Sequence, residues 1–163
     1  MRIKGKELGK PNIEIITFPR GTTPEEAIVL QAEAIMSYDD FNKFCPEPKA
    51  PKMLLPGGKK GKKVENTEDL DYKKAVAERD ELRTAWTVIT SLKATPGLTW
   101  DTVKLEDSST WHLYEKELED AGLTAIEVGK ITLGVMSANG LDESRVKEAR
   151  DHFLASQSAK ETS

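Results

Sequence analysis

The chain has 163 residues, a formal charge of −4, 32% charged residues and 37% hydrophobic ones, which suits one ordinary domain or a small one with an appendage. The acidic balance argues against a dedicated nucleic-acid binder, which carries a basic face. Cys45, the single cysteine, excludes an intrachain disulfide and a multi-cysteine metal site, and no run approaches the ~20 apolar residues that cross a bilayer.

The N-terminal "MRIKGKELGKPNIEII" is basic but lacks the continuous apolar core and small-residue cleavage site of a signal peptide, so none is expected and an intracellular compartment is the default. Residues 1–10 read as loose. In "NIEIITFPR" the β-branched run predicts a strand that Pro19 ends or places at a sheet edge. "GTTPEE" supplies turn residues, and "AIVLQAEAI" pairs back as the second strand of a hairpin. A helix from Pro24 is the rival for residues 24–35, because Thr23-Pro24-Glu25-Glu26 offers an N-cap, an N1 proline and an acidic first turn. In "SYDDFNKF", Ser37 caps a short helix, Asp39 and Asp40 favour its positive end, and Tyr38, Phe41 and Phe44 share a face. That helix ends by Cys45, since Pro46 forces its predecessor out of the helical region.

Residues 45–66 hold prolines, then glycines and lysines, and read as a linker: extended over Pro46, Pro48 and Pro51, loosened by Gly57, Gly58 and Gly61. "GGKKGKK" fails as a phosphate loop. Its glycines at 57 and 61 are one residue too close, Lys63 stands where a magnesium-binding Ser or Thr belongs, and no strand precedes it. The lysine run reads as a solvated face; nucleic-acid contact by counterion release is the rival.

The longest helix is predicted over residues 67–94, capped by Thr67, with Tyr72, Val76, Arg79, Leu82, Trp86, Ile89 and Leu92 forming a stripe. Thr95-Pro96-Gly97 ends it. Asp107-Ser108-Ser109 starts a second helix with Trp111, Tyr114, Leu118 and Ala121 inside, closed by Gly122 and Leu123. Thr124-Ala125-Ile126-Glu127 is a capping box whose helix, over residues 125–138, is apolar on most faces and predicted to be the most buried. Gly129 and Gly134 weaken it unless something approaches closely. Asn139-Gly140 closes it, and Asp142 caps a last helix with Val146, Ala149 and Phe153 on one face. The predicted fold is α+β, mainly α: a hairpin with a short helix over 1–44, a linker over 45–66, a four-helix domain over 67–157 and a flexible tail over 158–163.

No motif carries chemistry. His112 and His152 have no partner at fixed spacing and read as surface residues. Glu115, Glu117, Glu119 and Asp120 spread over several helix faces and read as solvated. Trp86, Trp100 and Trp111 read as core or interface residues, with stacking platforms for single-stranded nucleic acid as the rival. No Ser/His/Asp order or dinucleotide-binding turn is present, so no enzymatic activity and no cofactor are expected.

The succession of "NIEIITFPR", "SYDDFNKFCPEPKAPK", "NTEDLDYKKAV", "AWTVITSL", "TWHLYEKELEDAGL" and "MSANGLDESRVKEARDHFLA" resembles the small proteins of bacteriophage tail gene clusters, notably tail assembly chaperones. The resemblance spans most of the chain, and the N-terminal hairpin departs from a class that is often mainly helical. It implies a non-enzymatic protein that binds phage tail proteins in the host cytoplasm, with self-association open and neither membrane nor nucleic acid as partner. A virion component, such as a connector or baseplate adaptor, and an inhibitor of a host protein remain as alternatives. The expected partner-binding residues are Ile13, Ile15 and Phe18 on the first strand, Trp86, Trp100 and Trp111, and Gly134 with Met136, where a shallow groove competes with tight packing against the 67–94 helix.

Overall fold

A computed structural model describes residues 2–3, 6–7, 11–54 and 63–161. The fold is mixed α+β and mainly helical, as the sequence predicts. Two short strands at the N-terminus, β1 (Arg2–Ile3) and β2 (Lys6–Glu7), pair antiparallel where loose chain was expected, and the other residues of 1–10 lie outside the described ones. The main hairpin joins β3 (Ile13–Phe18) to β4 (Ile28–Glu33), with Ile13 opposite Glu33 and Phe18 opposite Ile28.

Strand and rival helix both find a place here. The Thr23-Pro24-Glu25-Glu26 signal makes one 3-10 turn, Pro24–Glu26, inside the hairpin loop. The Glu26 carboxylate accepts from the backbone N–H groups of Thr22 and Thr23 at 2.8 and 2.9 Å. The helix goes no further because Leu30 and Ala32 are needed on the inner face of a strand, where both are buried beside Ile16 and Phe18.

α1 (Asp39–Phe44) ends at Cys45, before Pro46, as predicted. Its N-cap position falls on Tyr38 and not on Ser37 as expected, although the Ser37 hydroxyl accepts from the Asp39 N–H at 3.0 Å in the turn that enters the helix. Phe41 is its anchor: fully buried, 5.8 Å from Trp86 and 5.9 Å from Trp111 between ring centroids. Arg79 holds the far end, its guanidinium 4.8 Å over the Phe41 ring and donating to the Cys45 carbonyl at 3.1 Å and to Asn42 at 2.7 Å. A cation there also suits the negative end of the helix.

The stretch read as a linker contains a second hairpin. β5 (Lys52–Leu54) pairs antiparallel with β6 (Lys63–Glu65), and the Asn66 N–H donates to the Pro51 carbonyl at 2.7 Å. A strand therefore does precede the Gly/Lys run, contrary to the expectation; Gly57, Gly58 and Gly61 lie outside the described residues. Pro46, Pro48 and Pro51 precede Lys52 and Pro56 follows Leu54, so neither "KML" nor "KVE" contains a proline and both are free to pair.

α2 (Leu70–Leu92) begins three residues later than predicted. Its cap is Asp69, whose carboxylate accepts from the Tyr72 N–H at 3.0 Å, and not Thr67. All of its fully buried residues lie from Ala85 onward. A 3-10 helix, Ser108–Leu113, runs into α3 (Tyr114–Asp120), where one continuous helix was expected. Gly122, at φ +99°, lets its own N–H reach the Glu119 carbonyl and that of Leu123 reach Leu118. Ala121, expected inside, is exposed.

α4 (Ala125–Ala138) has the predicted capping box and the predicted end, with Gly140 at φ +70°. It is not buried all round. Val128, Ile131, Val135 and Ala138 face the core, while Ile126 and Leu133 are 74% and 70% exposed. α5 (Glu143–Glu161) is capped by Asp142, but it does not bury the face expected of Val146 and Ala149: its side chains are exposed throughout residues 143–152. The helix runs on to Glu161, into the stretch expected as a flexible tail.

One hydrophobic core joins these elements. Ile16, Phe18, Leu30 and Ala32 of the hairpin, Phe41 of α1, the C-terminal half of α2, Trp111, Leu118 of α3 and the inner face of α4 form a single cluster. The boundaries drawn around a separate 67–157 domain therefore do not separate two cores.

Candidate functional site

The hairpin has two unlike faces, and they follow from strand alternation. Its even positions on β3 point inward: Ile16 and Phe18 are buried, so Phe18 packs in the core and does not meet a partner. Its odd positions point outward. Ile13, Ile15 and Val29, on the neighbouring strand, are 44%, 54% and 47% exposed and lie together on the outer face.

The inner face is clamped to the helices at several places. Ile16 lies against Gly134 of α4; a Cβ added there would meet the Ile16 Cδ1 at 2.5 Å. The glycine thus serves close packing, but against the hairpin and not against the 67–94 helix as expected. No neighbour lies within 4 Å of a Cβ built at Gly129, so nothing in the structure explains that glycine. Arg20, just past β3, makes a forked ion pair with Glu127 in the first turn of α4, one arm at 2.7 Å. Glu127 also closes the capping box by accepting from the Thr124 N–H at 2.9 Å. The Arg20 contact and these hydrogen bonds hold the Glu127 carboxyl down to about 2. Asn139 accepts from the Ile35 N–H at 2.8 Å and donates to the Ser91 hydroxyl at 3.2 Å, tying the end of β4 to α2 and α4.

The outer edge of β4 is met at Gln31. The buried Thr95 hydroxyl accepts from the Gln31 N–H at 2.8 Å and donates to the Gln31 carbonyl at 3.0 Å, as a neighbouring strand would. Among the described residues nothing comparable meets β3: its sheet has two strands, and β3 has β4 on one side only.

The other predicted contact residues are placed differently. Trp111 is fully buried, its indole N–H donating to the Lys104 carbonyl at 3.0 Å. Trp86 is buried against Tyr38 and Phe41. Neither is available to a partner or to a stacked base; both fill the core because α1 brings Phe41 between them. Trp100 is half-buried and lines, with Leu98, Leu113 and Leu118, a cleft of about 400 Å³. Its indole nitrogen is buried and has no acceptor among the described residues. Met136 is half-buried and borders a smaller cleft of about 170 Å³ with Leu141 and Tyr38.

Glu117, read from the sequence as one solvated acid among several, instead receives the backbone N–H groups of Asp101, Thr102 and Val103, the last two at 3.1 and 3.2 Å. Burial opposes its charge, but the Thr102 hydroxyl and these N–H groups prevail and keep its carboxyl below the ordinary range. His112 and His152 are exposed. Among the described residues no cluster of His, Cys, Asp or Glu is arranged to hold a metal ion, and no helix is long and apolar enough to cross a membrane. No protein-family model, curated protein or solved structure matches the chain.

Proposed function

We propose that the chain is a non-enzymatic protein-binding factor of bacteriophage tail assembly, acting as a tail assembly chaperone does by holding other tail proteins through apolar surface until they assemble. The observation that carries the binding role is the outer face of the β3–β4 hairpin, where Ile13, Ile15 and Val29 stand exposed together on an element whose other face is locked to α4 by Gly134 and the Arg20–Glu127 pair. Such a platform is rigid from below and apolar above, which lowers the ordering cost of binding an apolar segment. The phage context comes from the sequence resemblance.

A virion adaptor is the second reading, favoured by the uncovered edge of β3, because strand addition at an edge is a common way to join subunits. Co-expression with the tail tube and tape-measure proteins of the same gene cluster tests the first reading. Those proteins should copurify with the chain, and Val29→Lys should reduce their capture at least tenfold without changing the fold, because Val29 is exposed. Undiminished capture by the variant, or no capture by the parent chain, would defeat the chaperone reading. Mass spectrometry of purified particles separates the two, since a chaperone is absent from the mature virion and an adaptor remains in fixed copy number.

A further inference from the structure

We infer that two copies of this chain pair through the outer edge of β3, antiparallel about a two-fold axis at Ile15, to give a four-stranded sheet in the order β4–β3–β3′–β4′. The inference stands apart from the tail-assembly reading and needs only the hairpin.

Two hydrogen bonds fix which peptide groups face outward. The Asn12 carbonyl accepts from the Ala34 N–H at 2.9 Å, so the even positions of β3 turn toward β4. Gln31, opposite Ile15, turns its own N–H and carbonyl away from β3 to Thr95. Ile13, Ile15 and Thr17 therefore direct their N–H and carbonyl groups to the open edge. Pro11 and Pro19 share that phase, have no N–H to offer, and stand at equal distance from Ile15. The usable edge is thus Ile13 to Thr17, and it is symmetric about its own midpoint.

A second copy running antiparallel satisfies that edge in one register. Ile15 faces Ile15′, Ile13 faces Thr17′, and Pro11 falls opposite Pro19′, where neither strand has a donor to lose. Sliding by two residues sets Pro11 against Thr17′ and leaves a carbonyl unmet. The side chains agree with the symmetric register. Across the seam the outer face reads Gln31–Ile15–Ile15′–Gln31′ and Glu33–Ile13–Thr17′–Val29′, so the isoleucines of both copies meet and no charge faces a like charge. Glu14, on the other face, is held by Arg145 at 2.9 Å and would stand beside Ile16′. Of the devices that keep edge strands single, proline stands only at the two ends, Pro11 and Pro19, while the outward side chains between them are Ile, Ile and Thr with no lysine.

Sedimentation of the purified full-length chain between about 1 and about 100 μM should show a monomer–dimer equilibrium, and Ile15→Lys should raise its dissociation constant roughly a hundredfold. Circular dichroism checks that the variant folds. Should it not, cysteine variants in a Cys45→Ala background still decide the matter. Ile15→Cys should cross-link to itself on mild oxidation, since facing Cα atoms in such a pair are about 5.5 Å apart. Ile13→Cys and Thr17→Cys should cross-link to each other when mixed, and neither to itself. A chain that is monomeric throughout, a dimer indifferent to Ile15→Lys, growth beyond dimers, or a different cross-linking pattern would each overturn the inference.

Discussion

The Glu127 carboxylate closes the first turn of α4 and takes the Arg20 guanidinium in the same act, so one side chain joins a helix start to the end of a strand. Its carboxyl is held at about 2 against an ordinary 4.5. A carboxylate depressed in the folded chain adds stability that is complete above the unfolded value and disappears as pH falls through the folded one, so its contribution should fade between about pH 4.5 and about pH 2. Glu127→Gln should lower the melting temperature at pH 7 and flatten its dependence on pH in that window; an unchanged slope would mean the pair contributes nothing. Gly134 makes the second connection. Gly134→Ala sets a methyl group against Ile16 and should cost about 1–3 kcal/mol. Adding Ile16→Ala should recover part of that loss, giving a coupling energy that two independent sites would not show.

Among the elements, α5 is the outlier. Its side chains are exposed through residues 143–152, and the exposed Arg145–Glu14 pair that ties it to the hairpin is of a kind worth at most about 1 kcal/mol. Arg145→Ala should therefore shift the melting temperature by no more than about 2–4 °C. The sequence announced this helix correctly through Asp142 and misjudged the burial of Val146 and Ala149, because their spacing says that a face exists and not that anything covers it; the Phe153 side chain lies outside the described ones. Local signals read well elsewhere: the Thr124 box, Gly122, Gly140 and the stop at Cys45 are each decided within a few residues. The alternation of β4 was obscured because its inner face includes the small Ala32 while its outer face includes Val29. The contacts that make the site were not legible at all. Thr95 on Gln31, Arg20 on Glu127 and Ile16 on Gly134 join residues far apart in the chain, and no spacing rule reports them.

At the scale of the whole molecule, the hairpin is part of the one core and not an appendage. Phe41 sits between Trp86 and Trp111, and Ile16, Phe18 and Leu30 cover the inner faces of the helices. A fragment of residues 67–157 should accordingly melt without cooperativity and bind apolar dyes, although its helices are individually well capped. The hairpin is fixed to the helices by its inner face and, among the described residues, open along the edge of β3, and hydrogen exchange on the intact chain tests this most directly. In dilute solution the amides of Glu14, Ile16 and Phe18 should exchange only with global unfolding, together with Ile89 of α2 and Ile131 of α4, while those of Ile13, Ile15 and Thr17 exchange fast. Hairpin amides of the first set that exchange through an opening easier than that of α2 and α4, or outer-edge amides already protected in the isolated monomer, would contradict the account.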